Sequence, residues 1–278
     1  MTQQTGSINL NPQAKQMADE SMVRNLAAQA RAIWPQEAPL LLRYALPPEP
    51  RILDAGCGTG EASSRMAELF PHATILGVDI VDASLELARQ RYGTLAPRVQ
   101  FEHRSIYESG LADNSFDLTV CRHVIHSIPH AERVVAEFAR VTRPGGWLHL
   151  IAEDYGMLHF QRAALDPGDF WHQVPRAFGA ATGTDLFIGR DIYGILAMKG
   201  LEEVRIDYVI VDTLRVPRET FAAIIGAWRD GYAEAVGEYT TIPREQAVEY
   251  FNQMIANIRD PLGYALWMVP VVSARVPQ

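Results

Sequence analysis

Residues 53–61 read Leu53-Asp54-Ala55-Gly56-Cys57-Gly58-Thr59-Gly60-Glu61, and they join a short apolar run to a helical pattern. Glycine lets a backbone turn tightly and approach a ligand closely, because it has no Cβ that would collide. The spacing is GxGxG, whereas nicotinamide and flavin proteins use GxGxxG. Asp79 ends the next apolar run, where a carboxylate can accept hydrogen bonds from both ribose hydroxyls of an adenosine. Together, the glycine turn and Asp79 predict a nucleoside-binding strand, turn and helix.

Short apolar runs alternate with helical patterns on both sides of this turn. The run Thr-Ile-Leu-Gly-Val at 74–78 is apolar on both faces, as the strands of a covered parallel sheet must be. The predicted strands cover 51–54, 73–79, 99–103, 116–121, 147–152, 201–216 and 263–276, and predicted helices cover 61–70, 82–92, 130–142 and 185–199. This order predicts an α/β fold, a doubly wound, mostly parallel seven-stranded sheet of the Rossmann-like kind with helical cap insertions.

The chain is predicted to divide at the cluster Pro47-Pro48-Glu49-Pro50, where proline cannot continue a helix. Residues 1–48 are expected to form an N-terminal helical appendage or lid, with one helix near 22–33 and a second over 35–44. Residues 49–278 form the main domain, with cap insertions at about 155–183 and 217–260. The first insertion is expected to be irregular because Pro167, Gly168 and Pro175 interrupt it.

The amino-acid composition limits the kinds of partner that this protein is expected to bind. The formal charge of -8 over 278 residues lacks the basic field needed to grip phosphate backbones, so nucleic acid and anionic membrane are not expected partners. The apolar run from Tyr264 to Val272 is about half the ~20 residues of a membrane helix. Without a signal-peptide pattern, we expect a cytoplasmic monomer or homodimer that acts on a small molecule. No metal is expected, because HExxH, EF-hand and CxxC spacings are missing.

Five segments between Arg51 and Gly146 carry a family resemblance: Leu53 to Gly60, Gly77-Val78-Asp79, Asp113 to Asp117, His123 to Pro129, and Val141 to Gly146. On these segments the sequence resembles the class I S-adenosylmethionine (SAM)-dependent methyltransferases, in the small-molecule group similar to the ubiquinone-pathway enzymes. The resemblance implies a Rossmann-like methyltransferase fold with SAM as cofactor. The glycine turn would then pass the methionine part of SAM, Asp79 would hold the ribose, and Ile80 would cover the adenine.

One segment departs from the family pattern. Where the family usually has Gly-Asp-Ala at the end of the third strand, this chain has Arg104-Ser105-Ile106. Ser105 can accept a hydrogen bond from the adenine amino group only as an uncharged group, so the expected contact is weaker than usual. The residues expected to bind the cofactor are Asp54, Gly56, Cys57, Gly58, Gly60, Asp79, Ile80, Ser105, Ile106, Cys121, Arg122 and Gln29.

Several of these residues also have a purely structural interpretation. Asp79 would serve equally well as a cap for the helix that follows it. Asp54 is also expected to tie down the glycine loop, which is compatible with a role beside the amino group of SAM. Cys57 and Cys121 are expected to be small buried residues next to the cofactor.

The chemistry of methyl transfer suggests a catalytic residue. SAM carries a sulfonium leaving group, so the protein has to align an acceptor and exclude water. A base is needed only for a hydroxyl or a protonated amine. His126, which follows His123 by one helical turn, is the candidate for that base, and packing without titration is the alternative. Tyr155, His159 and Trp171 are expected to line an aromatic substrate pocket, with ordinary packing as the alternative.

The strand ends alone would leave the methyl group open to water. We therefore expect the N-terminal helix and both insertions to form a lid, with Arg24 or Gln29 reaching the carboxylate of SAM. The alternative is that the N-terminal helix covers a sheet edge. The predicted function is methyl transfer to oxygen or nitrogen of a small, partly apolar metabolite, such as a natural-product intermediate of secondary metabolism. A SAM-bound methyltransferase-like fold that catalyses cyclisation or isomerisation is the alternative enzyme, and a non-enzymatic subunit partner is a third hypothesis.

Overall fold

The computed structural model describes residues 9–278. Within that range the strands are β1 (Arg51–Ala55), β2 (Thr74–Asp79), β3 (Val99–His103), β4 (Phe116–Arg122), β5 (Thr142–Ile151), β6 (Leu158–Phe160), β7 (Glu202–Asp212) and β8 (Ala265–Arg275). The helices are α1 (Ala14–Met17), α2 (Glu20–Leu41), α3 (Glu61–Leu69), α4 (Asp82–Tyr92), α5 (Ala131–Val141), α6 (Pro167–Thr182), α7 (Ile192–Met198), α8 (Arg218–Tyr239) and α9 (Arg244–Arg259). None of the described helices is long and apolar enough to span a membrane.

The strands of the described range form one sheet in the order β3-β2-β1-β4-β5-β8-β6, with β7 paired to the other edge of β8. The five strands β1 to β5 are mutually parallel, and β8 runs antiparallel to β5. The chain crosses from β3 back to β4 beside β1, so the strand order reverses between β1 and β4. In open α/β sheets, ligands bind at the carboxyl ends of the strands at such a reversal. The predicted doubly wound fold is confirmed, and the extra strand is β6.

Two helical predictions were wrong in detail. A single helix, α2, runs from Glu20 through Pro35 and Pro39 to Leu41, where two helices were expected. It continues because Ile33, Glu37 and Leu41, four residues apart, keep one face fully buried across both prolines.

The insertion at 155–183 contains the 16-residue helix α6 rather than irregular chain. The Asp166 side chain accepts a hydrogen bond from the Gly168 N–H, and Pro167 stands in the first turn, where its missing N–H costs nothing. Gly183 ends the helix in the left-handed conformation. The proline and glycine residues therefore begin and end a helix here.

Farther along the chain, the predicted helix over 185–199 is shorter, with a 3-10 turn at Ile188–Arg190 before α7. The strand predicted to reach Val216 ends at Asp212, because the Asp212 carboxylate accepts the N–H groups of Leu214 and Arg215 and turns the chain.

The N-terminal segment packs into the main core. Ala28 and Ile33 of α2 belong to the same buried apolar cluster as Phe221 of α8 and Trp267 of β8. The Gln36 side chain also exchanges two hydrogen bonds with the backbone of Ile210, on the outer edge of β7. The carboxyl half of α2 thus covers a sheet edge, which was the alternative to a lid.

A buried polar network joins α2 to the sheet. Glu37 is fully buried and receives two hydrogen bonds from Arg122 at the end of β4, at 2.7 and 2.8 Å. His149 lies 3.2 Å from the same carboxylate and 2.7 Å from the Tyr44 hydroxyl. Burial alone would raise the pKa of Glu37, but Arg122 and His149 lower it to about 2. Glu37 therefore remains ionised and fixes α2 above the strand ends.

Replacing this carboxylate should destabilise the protein in a pH-dependent way. Glu37→Gln leaves the Arg122 guanidinium without its anionic partner, a loss of roughly 3–5 kcal/mol in the free energy of unfolding near pH 7. The pKa of Glu37 is depressed in the folded state, from 4.5 to about 2. Its contribution is therefore complete above about pH 5 and is lost as the pH falls toward about 2. Urea unfolding across this range measures it.

The matched control is Glu20→Gln on the same helix, because Glu20 pairs with Arg24 at a side-chain exposure of 73%. That variant should change the free energy of unfolding by less than about 1 kcal/mol. If the free energies of unfolding of Glu37→Gln and wild type differ by the same amount at every pH, the ion pair does not stabilise the fold as described.

Candidate functional site

The glycine turn lies at the strand-order reversal and is approached closely from two sides. Gly56 and Gly58 have φ angles of +77° and +51°, which side chains with a Cβ rarely adopt. A Cβ at Gly58 would stand 2.8 Å from Leu26 of α2, and one at Gly56 would collide with Val124. The turn and its surroundings therefore form a narrow cradle that only glycine leaves open.

Asp79 faces this cradle from the end of β2. Its Oδ2 accepts the Gly58 N–H at 2.8 Å, and its Oδ1 accepts the Val81 N–H at 2.9 Å. Each carboxylate oxygen keeps a second lone pair, so both oxygens can still accept a hydrogen bond from a hydroxyl group. Burial raises the pKa of Asp79. The same geometry thus lets Asp79 cap the helix that follows it and bind a ligand as well.

A cleft of about 760 Å³, partly open to solvent, extends from the glycine turn. The sheet side contributes Gly56, Gly58, Asp79, Ile80, Arg104, Ile106, Arg122, His123 and Val124. The N-terminal segment covers it with Asn11, Gln13, Ala14, Met17, Met22 and Leu26. The amino half of α2 and the chain before it therefore cover one side of the cleft. We call this cavity the cofactor cleft.

A smaller cavity of about 340 Å³ adjoins the cofactor cleft under the glycine turn, and Asp54, Cys57, Gln29 and Arg122 are among its lining residues. Asp54 accepts a hydrogen bond from the Ser63 hydroxyl at 2.5 Å, and burial raises its pKa to about 6. The Gln29 Oε1 is buried without a hydrogen-bond partner among residues 9–278. Of the two residues expected to reach the SAM carboxylate, Gln29 lines this smaller cavity, whereas Arg24 pairs with Glu20 and Asp230 outside the cleft.

Three predicted cofactor residues lie outside both cavities in the described part of the chain. Gly60 faces Phe101 and other side chains of the core. Cys121 is fully buried in β4, where burial raises the pKa of its thiol well above the usual value. Ser105 accepts the Tyr107 N–H at 3.2 Å, and its neighbour Ile106 lines the cleft instead. Packing against the core therefore keeps these three residues away from both cavities, although their neighbours in the chain line them.

Two histidines share one buried carboxylate beside the cleft. Glu153, 1% exposed, follows β5 and is hydrogen-bonded to Nδ1 of His123. The His126 Nδ1 lies 2.5 Å from the other oxygen of Glu153. Burial works against ionisation, but the positive charge of the two imidazoles holds the pKa of Glu153 below its usual range. Sequence reasoning singled out His126, while the pairing through Glu153 depends on two loops meeting.

The histidines differ in what their outer nitrogens face. His123 lines both cavities, and its Nε2 has no partner in the described chain. His126 lies in a 3-10 turn, Ile125–Ser127, at 4% exposure, and its Nε2 is 3.5 Å from the Tyr155 hydroxyl. His126 therefore reaches solvent-accessible space through Tyr155 rather than directly.

Tyr155 leads to a second cavity, of about 470 Å³, which we call the aromatic pocket. Tyr155 and Trp171 stack with ring centroids 5.5 Å apart, and Trp228 packs edge-on against both. The lining residues are Gln13, Tyr155, Phe170, Trp171, Val174, Pro175, Phe178, Leu186, Trp228, Tyr232, Val236 and Phe251. Tyr155 and Trp171 are therefore brought together as expected. His159 is not, because it is exposed on β6 while its neighbour Leu158 faces the core.

A comparison with known proteins identifies a methyltransferase domain in this chain. Residues 53–150 match the family described as a methyltransferase domain. A ubiquinone biosynthesis O-methyltransferase of Paracidovorax citrulli is 34% identical over 101 residues, 35% of this chain and 41% of that protein. The chain thus spans less than half the length of this relative. The resemblance to class I SAM-dependent methyltransferases is confirmed.

Solved structures extend the likeness to the whole fold. The 4+2 cyclase SpnF superposes with a TM-score of 0.60 at 22% identity, covering 98% of each chain. A phosphoethanolamine N-methyltransferase 2 of Haemonchus contortus, solved with S-adenosylhomocysteine, gives a TM-score of 0.59 at 18% identity. It covers 95% of this chain and 60% of that one. At these identities the comparison shows the fold alone.

The residues of the cofactor cleft fit SAM on their own chemistry. The glycine cradle leaves room that a Cβ would fill, Asp79 keeps two free lone pairs for a ribose, and Gln29 offers an unpaired buried acceptor for an ammonium group. Ile80 and Ile106 supply apolar surface for a flat base. An anionic acceptor and an apolar slot thus lie along the cofactor cleft, with a buried polar group in the smaller cavity beside it.

Removing the carboxylate at the end of β2 should weaken SAM binding. We expect Asp79→Ala to raise the dissociation constant about 10- to 100-fold, roughly 1.5–3 kcal/mol for a charge-assisted pair of hydrogen bonds, as measured by calorimetry. Asp79→Asn is a second variant that keeps the side-chain volume, and it tests the same contact if Asp79→Ala does not fold. Asp82→Ala is the control, since Asp82 lies three residues on with a side-chain exposure of 82%. Equal SAM affinity in folded Asp79 variants would remove Asp79 from the cofactor site.

Proposed function

We propose that this chain, which carries a class I SAM-dependent methyltransferase domain over residues 53–150, transfers the methyl group of SAM to oxygen or nitrogen of a small, partly apolar molecule. The observation that carries the proposal is the junction of two cavities, because Gln13 lines both the cofactor cleft and the aromatic pocket. An acceptor in the aromatic pocket would therefore lie next to the reactive end of a molecule bound along the glycine turn.

The aromatic pocket supports an acceptor with a flat, uncharged body. Its lining contains six aromatic side chains besides Tyr232 and no Lys, Arg, Asp or Glu. Stacked and edge-on rings favour a ring system, whereas a phosphorylated or carboxylated body would lose its hydration without a charged partner. We propose a natural-product intermediate of secondary metabolism as the substrate class.

The chain's own residues would orient the reactants and exclude water. SAM, when bound, supplies a methyl group that is already activated on a sulfonium centre. Asp79 and Gln29 would hold its two ends, while Met22 and Leu26 of α2 close the cleft from above. Much of the rate gain in such a transfer comes from holding the two reactants in the right geometry and from excluding water from the cavity.

For a hydroxyl acceptor, we propose that the proton leaves through Tyr155 to His126. The Tyr155 hydroxyl lies 3.5 Å from the His126 Nε2, and Glu153 stands behind the imidazole to stabilise its charged form. His123 faces the cofactor cleft instead, so its contribution would be to cofactor binding. The carboxylate shared by the two histidines couples both ends of the site.

We also propose a cytoplasmic enzyme acting as a monomer or homodimer, without nucleic acid or membrane partners. Both cysteines, Cys57 and Cys121, are free and buried, as is usual in a reducing compartment. The net charge of -8 opposes binding to phosphate backbones.

The test begins with SAM binding by calorimetry, followed by incubation with methyl-labelled SAM and a panel of aromatic hydroxyl and amine compounds. We expect SAM to bind and the label to pass to at least one acceptor. Conversion of an acceptor without label transfer, in protein that binds SAM, would favour the cyclisation or isomerisation alternative. Failure to bind SAM would overturn the proposal.

A substitution at His126 separates proton transfer from packing. We expect His126→Ala to lower kcat about 100-fold on a hydroxyl acceptor, with SAM affinity within about twofold of wild type. His126→Gln retains a donor toward Glu153 and protects the fold, and it should show the same loss. His130→Ala is the control because His130 is in the same segment with a 37% exposed side chain. A parallel loss of SAM affinity would make His126 a packing residue.

A further inference from the structure

We infer that Gln13 selects an oxygen acceptor over an amine nitrogen, an inference that rests on the proposed methyl transfer. Gln13 immediately precedes α1 and is 2% exposed. It is also the one described residue that lines both the cofactor cleft and the aromatic pocket. The methyl group and its acceptor would have to meet where these cavities join, so the Gln13 side chain stands beside the reacting atoms.

The hydrogen bonding of Gln13 defines which group it offers. The Tyr232 hydroxyl donates to the Gln13 Oε1 at 3.0 Å, which leaves the Nε2 as the unused end of the amide. The Nε2 group is buried and has no hydrogen-bond partner among residues 9–278. Buried polar groups in folded proteins are normally paired, and a buried donor without a partner destabilises the site. Gln13 therefore keeps an unused N–H donor in a side chain that borders both cavities.

A donor at this point distinguishes oxygen from nitrogen. A hydroxyl oxygen has two lone pairs, so one can accept the Gln13 N–H while the other attacks the methyl group. A neutral amine has one lone pair, and methyl transfer requires that pair. An amine acceptor would thus leave the Gln13 N–H unpaired. Sites built to hydrogen-bond a substrate group discriminate strongly against analogues that cannot satisfy it.

The atoms and electrons of the proposed methyl transfer balance with the side chains named above. The oxygen lone pair forms the new O–CH3 bond, and the electron pair of the breaking C–S bond stays on sulfur, which becomes neutral. The hydroxyl proton passes through Tyr155 to the His126 imidazole, whose charge Glu153 stabilises. Gln13 makes its hydrogen bond to the oxygen throughout and exchanges no proton, so it is a specificity-determining residue.

The test compares two acceptors of the same shape, 1-naphthol and 1-naphthylamine, both neutral at pH 7.5. Quenching of tryptophan fluorescence checks that both probes bind, since Trp171 and Trp228 line the aromatic pocket. The preference itself is measured as label transfer from SAM, because the lone pair of the acceptor is engaged by the methyl group only in the transfer. We expect wild type to favour the naphthol in kcat/KM, and Gln13→Leu to lower the ratio of naphthol to naphthylamine methylation about tenfold or more.

Gln16→Leu is the matched control, because Gln16 lies in α1, three residues after Gln13, and lines neither cavity. It should keep the wild-type preference. An unchanged ratio of naphthol to naphthylamine methylation in Gln13→Leu would overturn the inference while SAM binding and methyl transfer stand. Binding of neither probe would remove the aromatic acceptor and the inference with it. Loss of SAM binding in wild type would instead remove the proposed function itself.

Discussion

The ion pair between Glu37 and Arg122 is the constraint on which the site depends. Glu37 belongs to α2, Arg122 ends β4, and both side chains are almost completely withdrawn from water. A buried charge is tolerated only when it is paired, so the two elements have one favourable relative position. In that position Leu26 lies against Gly58, Gln29 opens into the cavity beside Asp54, and Gln36 covers the backbone of β7. Arg122 also lines the cofactor cleft, so the pair that anchors α2 borders the cleft as well.

The two halves of the site are built by different means. The cofactor half uses backbone conformation and the ends of parallel strands, where Gly58 and Asp79 are joined by a hydrogen bond across neighbouring loops. The aromatic pocket, the proposed acceptor site, uses aromatic side chains from α6, α8 and α9 around Tyr155. Strand ends are fixed by the ladder of the sheet, whereas helix faces accept substitution if their packed volume is kept. The cofactor cleft therefore depends on backbone geometry, and the aromatic pocket depends on side-chain packing.

Glu153 connects these halves electrostatically. It is buried between His123, which faces the cofactor cleft, and His126, which faces Tyr155 in the aromatic pocket. The carboxylate is thus the one negative group that both rings share among the described residues. It thereby joins the cofactor cleft to the aromatic pocket through two side chains that lie far apart from it in the sequence.

The sequence by itself determined the parts that depend on local backbone geometry. The GxGxG turn, the acidic end of β2 and the order of parallel strands are specified by residue spacing, because the contacts they make are set by strand register and by φ angles that only glycine adopts readily. Tertiary structure decided the rest. The proline residues of α2 and α6 read locally as breaks, yet burial of Ile33 and Trp171 carries each helix through them. The roles of His123, Glu153 and Gln13 also lie beyond sequence reasoning, since each arises where segments distant in the chain pack together and leave one polar atom paired or unpaired.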